Sequence, residues 1–374
     1  MKIQLLFFCI CLFFAGCQPS KKNAANSPQP GLKLSQIVFL DHYMVDALAA
    51  NGYVYAEEVI ELELGSTNIH DISGIQYLVN LEILHLFNNH IEDISPLSGL
   101  TKLVKLRLSR NEITDIKPLA NLKLLTELYL DINHITDIGP LTGMSRLTTL
   151  SLGKNRVTDI SPLSDLVLLE QLWLQVCRVT DISPLRSHAK LKKLVLDYNQ
   201  ISDIAVLESI INLNYLSLKG NNILELSALQ NLMKLEELNL GQNRITDISA
   251  LKNLTMLTRL SLNTNRISDI SPLLELKELQ FINLNENKIT DLSPLQNMSK
   301  LETLWIATNQ VTGISTLGHM KDLKKISLAG NKITDVMPLI NLVNLDEINL
   351  ERTGLSRDDI GKLQVALPDT IIQF

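Results

Sequence analysis

Histidines, cysteines and a recurring aspartate are the residues of this 374-residue chain whose types could do chemistry. A zinc site needs three or four nitrogen, sulfur or oxygen ligands at short separations. His42, His70, His85, His90, His134, His188 and His319 are scattered without that spacing. There is no GxSxG elbow, HExxH pair or phosphate-cradling glycine loop. His85, near a carboxylate, is the one histidine that suggests a polar site. The aspartates Asp93, Asp115, Asp137, Asp159, Asp181, Asp203, Asp247, Asp269, Asp291 and Asp335 form a regular series. Carboxylates stacked about 5 Å apart repel one another. Arg156, Arg178, Arg244, Arg266, Lys288 and Lys332 precede several of them by three positions and are expected to offset the repulsion. No calcium-loop ligand cluster accompanies them. Catalysis, a metal site and a bound cofactor are therefore not expected. A net charge of −6 also argues against nucleic acid, whose phosphates call for a basic stripe.

The regularity is the stronger signal. The octapeptide RVTDISPL occupies residues 156–163 and again 178–185, an offset of 22. On that period Asn89, Asn111, Asn133, Asn155, Asn199, Asn221, Asn243, Asn265, Asn287, Asn309 and Asn331 share one column. Thr67 and Thr353 close it at the ends, and Cys177 interrupts it. Each copy reads LxxLxLxxNxIxDIxPL, as at Leu103, Leu106, Leu108, Asn111, Ile113, Asp115, Ile116, Pro118 and Leu119. The alternating LxL segment predicts a short strand with leucine inward. Parallel stacking of such strands needs a crossover, for which the IxDIxPL half is suited, proline fitting the first turn of a tight helix. One coil cannot bury its own apolar residues, so each depends on its neighbours. The column asparagine is expected to bond turn backbone, coil after coil. Cys177 then reads as a buried thiol in the same slot.

This pattern resembles the leucine-rich repeat, in the 22-residue class of the bacterial internalins, over residues 59–354. The resemblance implies an α/β fold: a right-handed, curved solenoid of 14 coils with a parallel sheet on its concave face. The segment 32–58 is similar to the internalin amino-terminal cap. Within it, residues 41–50 put Met44, Val45, Leu48 and Ala49 on one helical face, and Gly52 is a stop signal. In 355–374, Ser356 and Asp359 look like a capping box for a helix carrying Ile360 and Leu363, followed by a last strand. Internalins bind host surface receptors through the concave face, which implies a protein partner here. The partner's identity does not carry over.

The amino terminus reads as an export signal. A basic start precedes an apolar run at residues 3–15, too short to span a bilayer. The run ends FFAGC, which resembles a bacterial lipobox. That resemblance implies loss of residues 1–16 and lipidation of Cys17, with 17–31 a disordered tether. Gln18, rather than Asp, points to the outer membrane in a cell that has one. Cys177 is then the one unmodified cysteine left, so no internal disulfide is expected. No membrane span or sorting motif is read after the repeats, so the lipid is the expected attachment. A monomer is expected.

Outward strand positions obey no packing rule, so their residues carry information. Of the eight aromatics in the repeats, all but Tyr77 (Phe87, Tyr129, Trp173, Tyr198, Tyr215, Phe281 and Trp305) fall on or just after the strand at positions expected to face outward, while the buried columns hold no aromatic. Both tryptophans occupy the same slot. Together with His85 and Arg107 they are the expected ligand-binding residues, since exposed aromatics are typical interface anchors. Asn239, Asn263, Asn283 and Asn285 make a polar stretch around Phe281. Aromatics with asparagine also suit sugars, which leaves glycan or envelope-polymer binding as the alternative.

Overall fold

The computed structural model describes residues 31–374. The expected signal peptide, Cys17 and nearly all of the tether lie outside the described residues. Fifteen strands form one parallel sheet in strict chain order. They are β1 Glu61–Glu63, β2 Ile83–His85, β3 Lys105–Arg107, β4 Glu127–Tyr129, β5 Thr149–Ser151, β6 Gln171–Trp173, β7 Lys193–Val195 and β8 Tyr215–Ser217. The rest are β9 Glu237–Asn239, β10 Arg259–Ser261, β11 Phe281–Asn283, β12 Thr303–Trp305, β13 Lys325–Ser327, β14 Glu347–Asn349 and β15 Ile371–Gln373. From β1 to β14 the register is 22 residues, as in Leu106 opposite Leu128, so identical repeat positions stack. The central residue of each strand points into the core and its two neighbours face out. A short 3-10 helix follows each strand from β1 to β13 on the far side, and eight of these helices carry the repeat's proline, as in Ser95–Leu97 and Lys117–Leu119.

The core is a continuous aliphatic column with no aromatic buried in it among the described residues. Leucine, isoleucine and valine, with a few methionines, fill equivalent positions in nearly every coil, which a Phe, Tyr or Trp ring would overpack. The asparagine column ties the coils together. Asn111 Oδ1 accepts from the Ile91 N–H at 3.1 Å, while its Nδ2 donates to the carbonyls of Leu86 at 2.9 Å and Leu108 at 3.0 Å. One side chain thus bridges two coils, and the pattern repeats at Asn133, Asn155 and Asn199.

Two features differ from the sequence expectation. The aspartate column is not offset by the basic residues three positions earlier. Asp93 Oδ1 instead accepts from the Ser95 N–H at 2.7 Å, and Asp159 and Asp181 do the same to Ser161 and Ser183 at 2.8 Å. Each carboxylate closes an Asx turn that opens the 3-10 helix, a local bond that is shorter-range than any interaction with a mobile arginine tip. The first helix, α1 His42–Ala50, is capped by Asp41 and buries Met44 and Leu48. Val45 is exposed, as is Ala49. The helix meets the core along a narrow line, and Ala47 packs there instead. The second helix, α2 Arg357–Ala366, has the Ser356–Asp359 capping box and buries Ile360 and Leu363.

A third regularity gave no sequence signal. The residue before each ladder position has positive φ, including +58° at Ile132, +55° at Val176 and +54° at Tyr198. Such a conformation costs roughly 1–2 kcal/mol for an L-residue. It is held by a backbone bond to the next coil, as from the Val176 N–H to the Asp197 carbonyl at 2.7 Å. Glycine, the residue that would announce it, stands in that column only at Gly220 and Gly330.

Candidate binding face

The outward strand residues form two columns, and the turn after each strand adds a third. Tyr129, Trp173 and Trp305 lie in the column of third strand residues with His85 and Arg107. Tyr215 and Phe281 lie in the column of first strand residues. Phe87 follows its strand, and its ring lies over Gly65, in the space a Cβ would fill. Tyr198 sits in the left-handed turn at the rim, with its ring over Gly220. Seven of the nine expected residues therefore share the sheet face, and Phe87 and Tyr198 flank it.

The structure adds partners that the sequence reading did not name. The Arg107 guanidinium lies 5.1 Å from the Tyr129 ring centre. Lys193 Nζ sits between Trp173 and Tyr215, at 5.4 and 4.5 Å. Lys219 covers Tyr198 at 5.4 Å, and Arg259 covers Phe281 at 4.4 Å. Phe281 and Trp305 meet edge to face at 5.1 Å, an arrangement favoured by the ring quadrupoles. Beside Trp173 in the third-residue column, Ser151 and Val195 stand on either side and Ser217 follows, all three buried. Burial first, then neighbouring carboxylates, pushes the Tyr129 and Tyr215 phenols up, so both remain neutral hydrogen-bond donors near neutral pH.

Two depressions flank the Phe281–Trp305 pair. One, of about 200 Å³, is bounded by Tyr215, Glu237, Asn239, Arg259, Ser261 and Phe281. The other, of about 380 Å³, is bounded by Asn285, Trp305, Lys325, Ser327, Glu347 and Asn349. The asparagines of the expected polar stretch are half-buried and partly engaged. The Asn239 and Asn283 side-chain oxygens accept from the N–H two residues on, and the Asn285 oxygen accepts from the Ala307 N–H at 2.7 Å.

His85 contacts Glu63 through Nδ1, and its buried Nε2 has no hydrogen-bond partner. That pair lacks a nucleophile or a third ligand. No group of three or more metal-ligating side chains is assembled among the described residues. Cys177 is buried, and its Sγ lies 3.5 Å from the Leu152 carbonyl. Burial pushes its thiol pKa up, against backbone N–H groups of Asn155, Val157 and Lys154 that pull it down. A buried, protonated thiol is a poor nucleophile.

His188 is the one misfit in the core. It stands in a column otherwise filled by residues such as Leu166, Ile210 and Met144, fully buried, and neither ring nitrogen has a hydrogen-bond partner. Burial pulls its pKa below the ordinary value of 6.5, partly opposed by the carbonyls of Leu185 and Leu163. The unfolded chain thus takes up this proton first, and the linked stability is lost as pH falls below about 6.5. His188→Met, using a residue this column already accepts at Met298 and Met320, is expected to raise the melting temperature at pH 7. The gain is about 1–3 kcal/mol, the cost of an unpaired buried polar group. The advantage should widen at pH 5; a constant gap from pH 8 to pH 5 would contradict the neutral, unpaired imidazole.

Coils of 22 residues, one parallel strand in each and an asparagine bridge between them define a right-handed leucine-rich-repeat solenoid with its sheet on the concave face. The family of leucine-rich repeats (two copies) matches residues 57–99, 101–143, 145–187, 234–275 and 277–319. The chain belongs to the leucine-rich-repeat family, and its likeness is to the internalins. An internalin from Listeria monocytogenes is 37% identical with a TM-score of 0.82, covering 85% of this chain and 97% of its own. A leucine-rich-repeat protein of Leptospira interrogans is 27% identical, with a TM-score of 0.77 and 82% of each chain covered. The functional domain of InlJ from Listeria monocytogenes, which includes a cysteine ladder, shares the fold at 20% identity, with a TM-score of 0.73, 87% of this chain and 77% of that one. No curated protein matches the sequence.

Proposed function

We propose that this protein is an exported, lipid-anchored recognition module that binds a protein partner through its concave sheet face, in the manner of an adhesin. Leucine-rich-repeat solenoids commonly serve protein–protein binding and are typically not enzymes. The observation that carries the reading is the segregation of aromatics: none in the buried core, and seven on or beside one sheet face. Core packing accounts for the absence of rings inside, and the exposed grouping of rings on one face is what supports a binding role. The spacing supports a macromolecular ligand, because Trp173 and Trp305 are on strands six apart, roughly 30 Å at about 4.8 Å per strand. A monomer with a single lined face fits this role. The depressions beside Phe281 and Trp305, edged by asparagine and serine, favour a glycan or envelope polymer as the second reading. Capture by the immobilised full-length protein, run in parallel against cell-surface proteins and against purified polysaccharides, separates the two. A Trp305-dependent polysaccharide with no protein retained would reverse their order.

Anchoring rests on the FFAGC sequence, with residues 1–16 as the signal, 17–31 as the tether, 32–58 and 355–374 as caps and 59–354 as the repeat domain. No helix among the described residues is long and apolar enough to cross a membrane. Several acyl chains, each CH₂ contributing about 0.8 kcal/mol, would hold the protein firmly. Cys17→Ala is expected to abolish labelling by a fatty-acid analogue and release the protein from the membrane fraction. Undiminished labelling would exclude Cys17 as the attachment point.

A further inference from the structure

The cations of the concave face are unevenly committed. In the second half of the sheet they pair with carboxylates across strands, Arg259 with Glu237 at 3.9 Å and Lys325 with Glu347 at 3.7 Å. In the first half Lys105 pairs with Glu127 at 2.7 Å. Arg107, Lys193 and Lys219 form no such ion pair among the described residues. Each lies over an aromatic ring instead. Two carboxylates near these cations, Asp131 and Asp197, are held by other donors. Asp131 accepts from the hydroxyls of Ser109 at 2.7 Å and Ser151 at 2.9 Å. Asp197 accepts from the Ser217 hydroxyl at 2.5 Å and the Lys219 N–H at 2.9 Å. From β5 to β8 the two outward strand columns hold Lys193 as their one charged residue. A chain of net charge −6 thus keeps three cations along one face, each over a ring and without an ion pair among the described residues.

A long basic side chain held on a ring loses less freedom when it meets an anion, and the ring excludes water from the new bond. Charge-assisted hydrogen bonds to carboxylate gain most in that setting. We propose, resting on the concave-face reading above, that the face from β3 to β8 takes an acidic, extended polypeptide segment whose carboxylates pair with Arg107, Lys193 and Lys219. Arg107 and Lys193 are on strands four apart, about 19 Å at about 4.8 Å per strand. An extended chain advances about 3.3 Å per residue, so the segment carries acidic residues about six positions apart. Lys219, four residues past the Tyr215 that stands beside Lys193, lies over Tyr198 at the rim and meets a carboxylate on that side of the segment. A polyanion with one charge at every unit fits less well, because Glu127 and Asp131 lie between the two cation positions.

The test uses the full chain with Trp305→Phe, leaving Trp173 as its only tryptophan. A synthetic 12-residue peptide with glutamate pairs six positions apart is titrated while Trp173 emission is followed. Expected is a saturable change, weakened at least tenfold between low and high salt, and at least tenfold in the R107Q/K193Q/K219Q variant, whose melting temperature is checked in parallel. The glutamine version of the peptide should give no saturation. An absent change, equal binding of the glutamine peptide, an unaffected triple variant, or tighter binding of heparin at the same cations would each overturn the proposal. A photo-reactive benzophenone amino acid in place of Tyr129 separates this from the broader reading. A partner cross-linked there through a neutral or basic segment removes the acidic ligand and leaves the concave face standing. Cross-links obtained only from the opposite face remove both.

Discussion

Asn111→Leu is expected to destabilise the solenoid by roughly 2–6 kcal/mol, more than the loss of a typical surface side chain. The asparagine oxygen is the acceptor for the Ile91 N–H, and leucine leaves that donor buried and unpaired, at about 1–3 kcal/mol. The two carbonyls fare better. Leu86 keeps a donor from Asn89 at 3.0 Å, and Leu108 keeps one from Asn133 at 3.0 Å, so each loses one net bond of about 0.5–1.5 kcal/mol. Because stability in a solenoid is a sum of coils and their interfaces, hydrogen exchange should rise first in the coils on either side of the change. Cys177→Asn is the converse. It returns an oxygen acceptor to the Val157 N–H, which faces a weakly accepting sulfur in the native chain. Its expected result is equal or higher stability, by about 1 kcal/mol. Thermal melting of both variants checks the pair, and a destabilised Cys177→Asn would mean the sulfur fits its coil better than the ladder geometry implies.

The core was legible because backbone and side chain share one period. A leucine at Leu106 has leucine above and below it in space for the same reason it has leucine 22 positions away in sequence. The capping box at Ser356 and Asp359 was legible because its bonds are local. What stayed hidden depends on geometry between columns. Lys193 meets Tyr215 beside it in its own column, but it reaches Trp173 only because neighbouring strands bring first and third positions together. The left-handed column was masked because valine, isoleucine and tyrosine occupy it at a cost the inter-coil bonds offset. The arginines were misread as aspartate partners because their spacing allowed it, while the Asx turn two residues on was the nearer donor. His188 was one of seven scattered histidines until its column placed it in the core.

Trp173→Ala and Trp305→Ala are the second large effect. Each ring offers on the order of 150–250 Å² to a partner, and truncation at a hot spot costs about 2 kcal/mol or more, roughly a thirtyfold loss of affinity. Both rings are at least partly exposed, Trp305 by 37%, so neither change empties the core. Leu174, fully buried between the coils, is the reference: Leu174→Ala should cost about 2–5 kcal/mol of stability. The measurement that tests the account most directly is melting and partner binding in these three variants side by side. Expected are tryptophan variants that melt close to the parent and bind at least thirtyfold more weakly, with the leucine variant melting far lower. Tryptophan variants that unfold as readily as Leu174→Ala, or that stay folded and bind as the parent does, would contradict the concave face as the binding site.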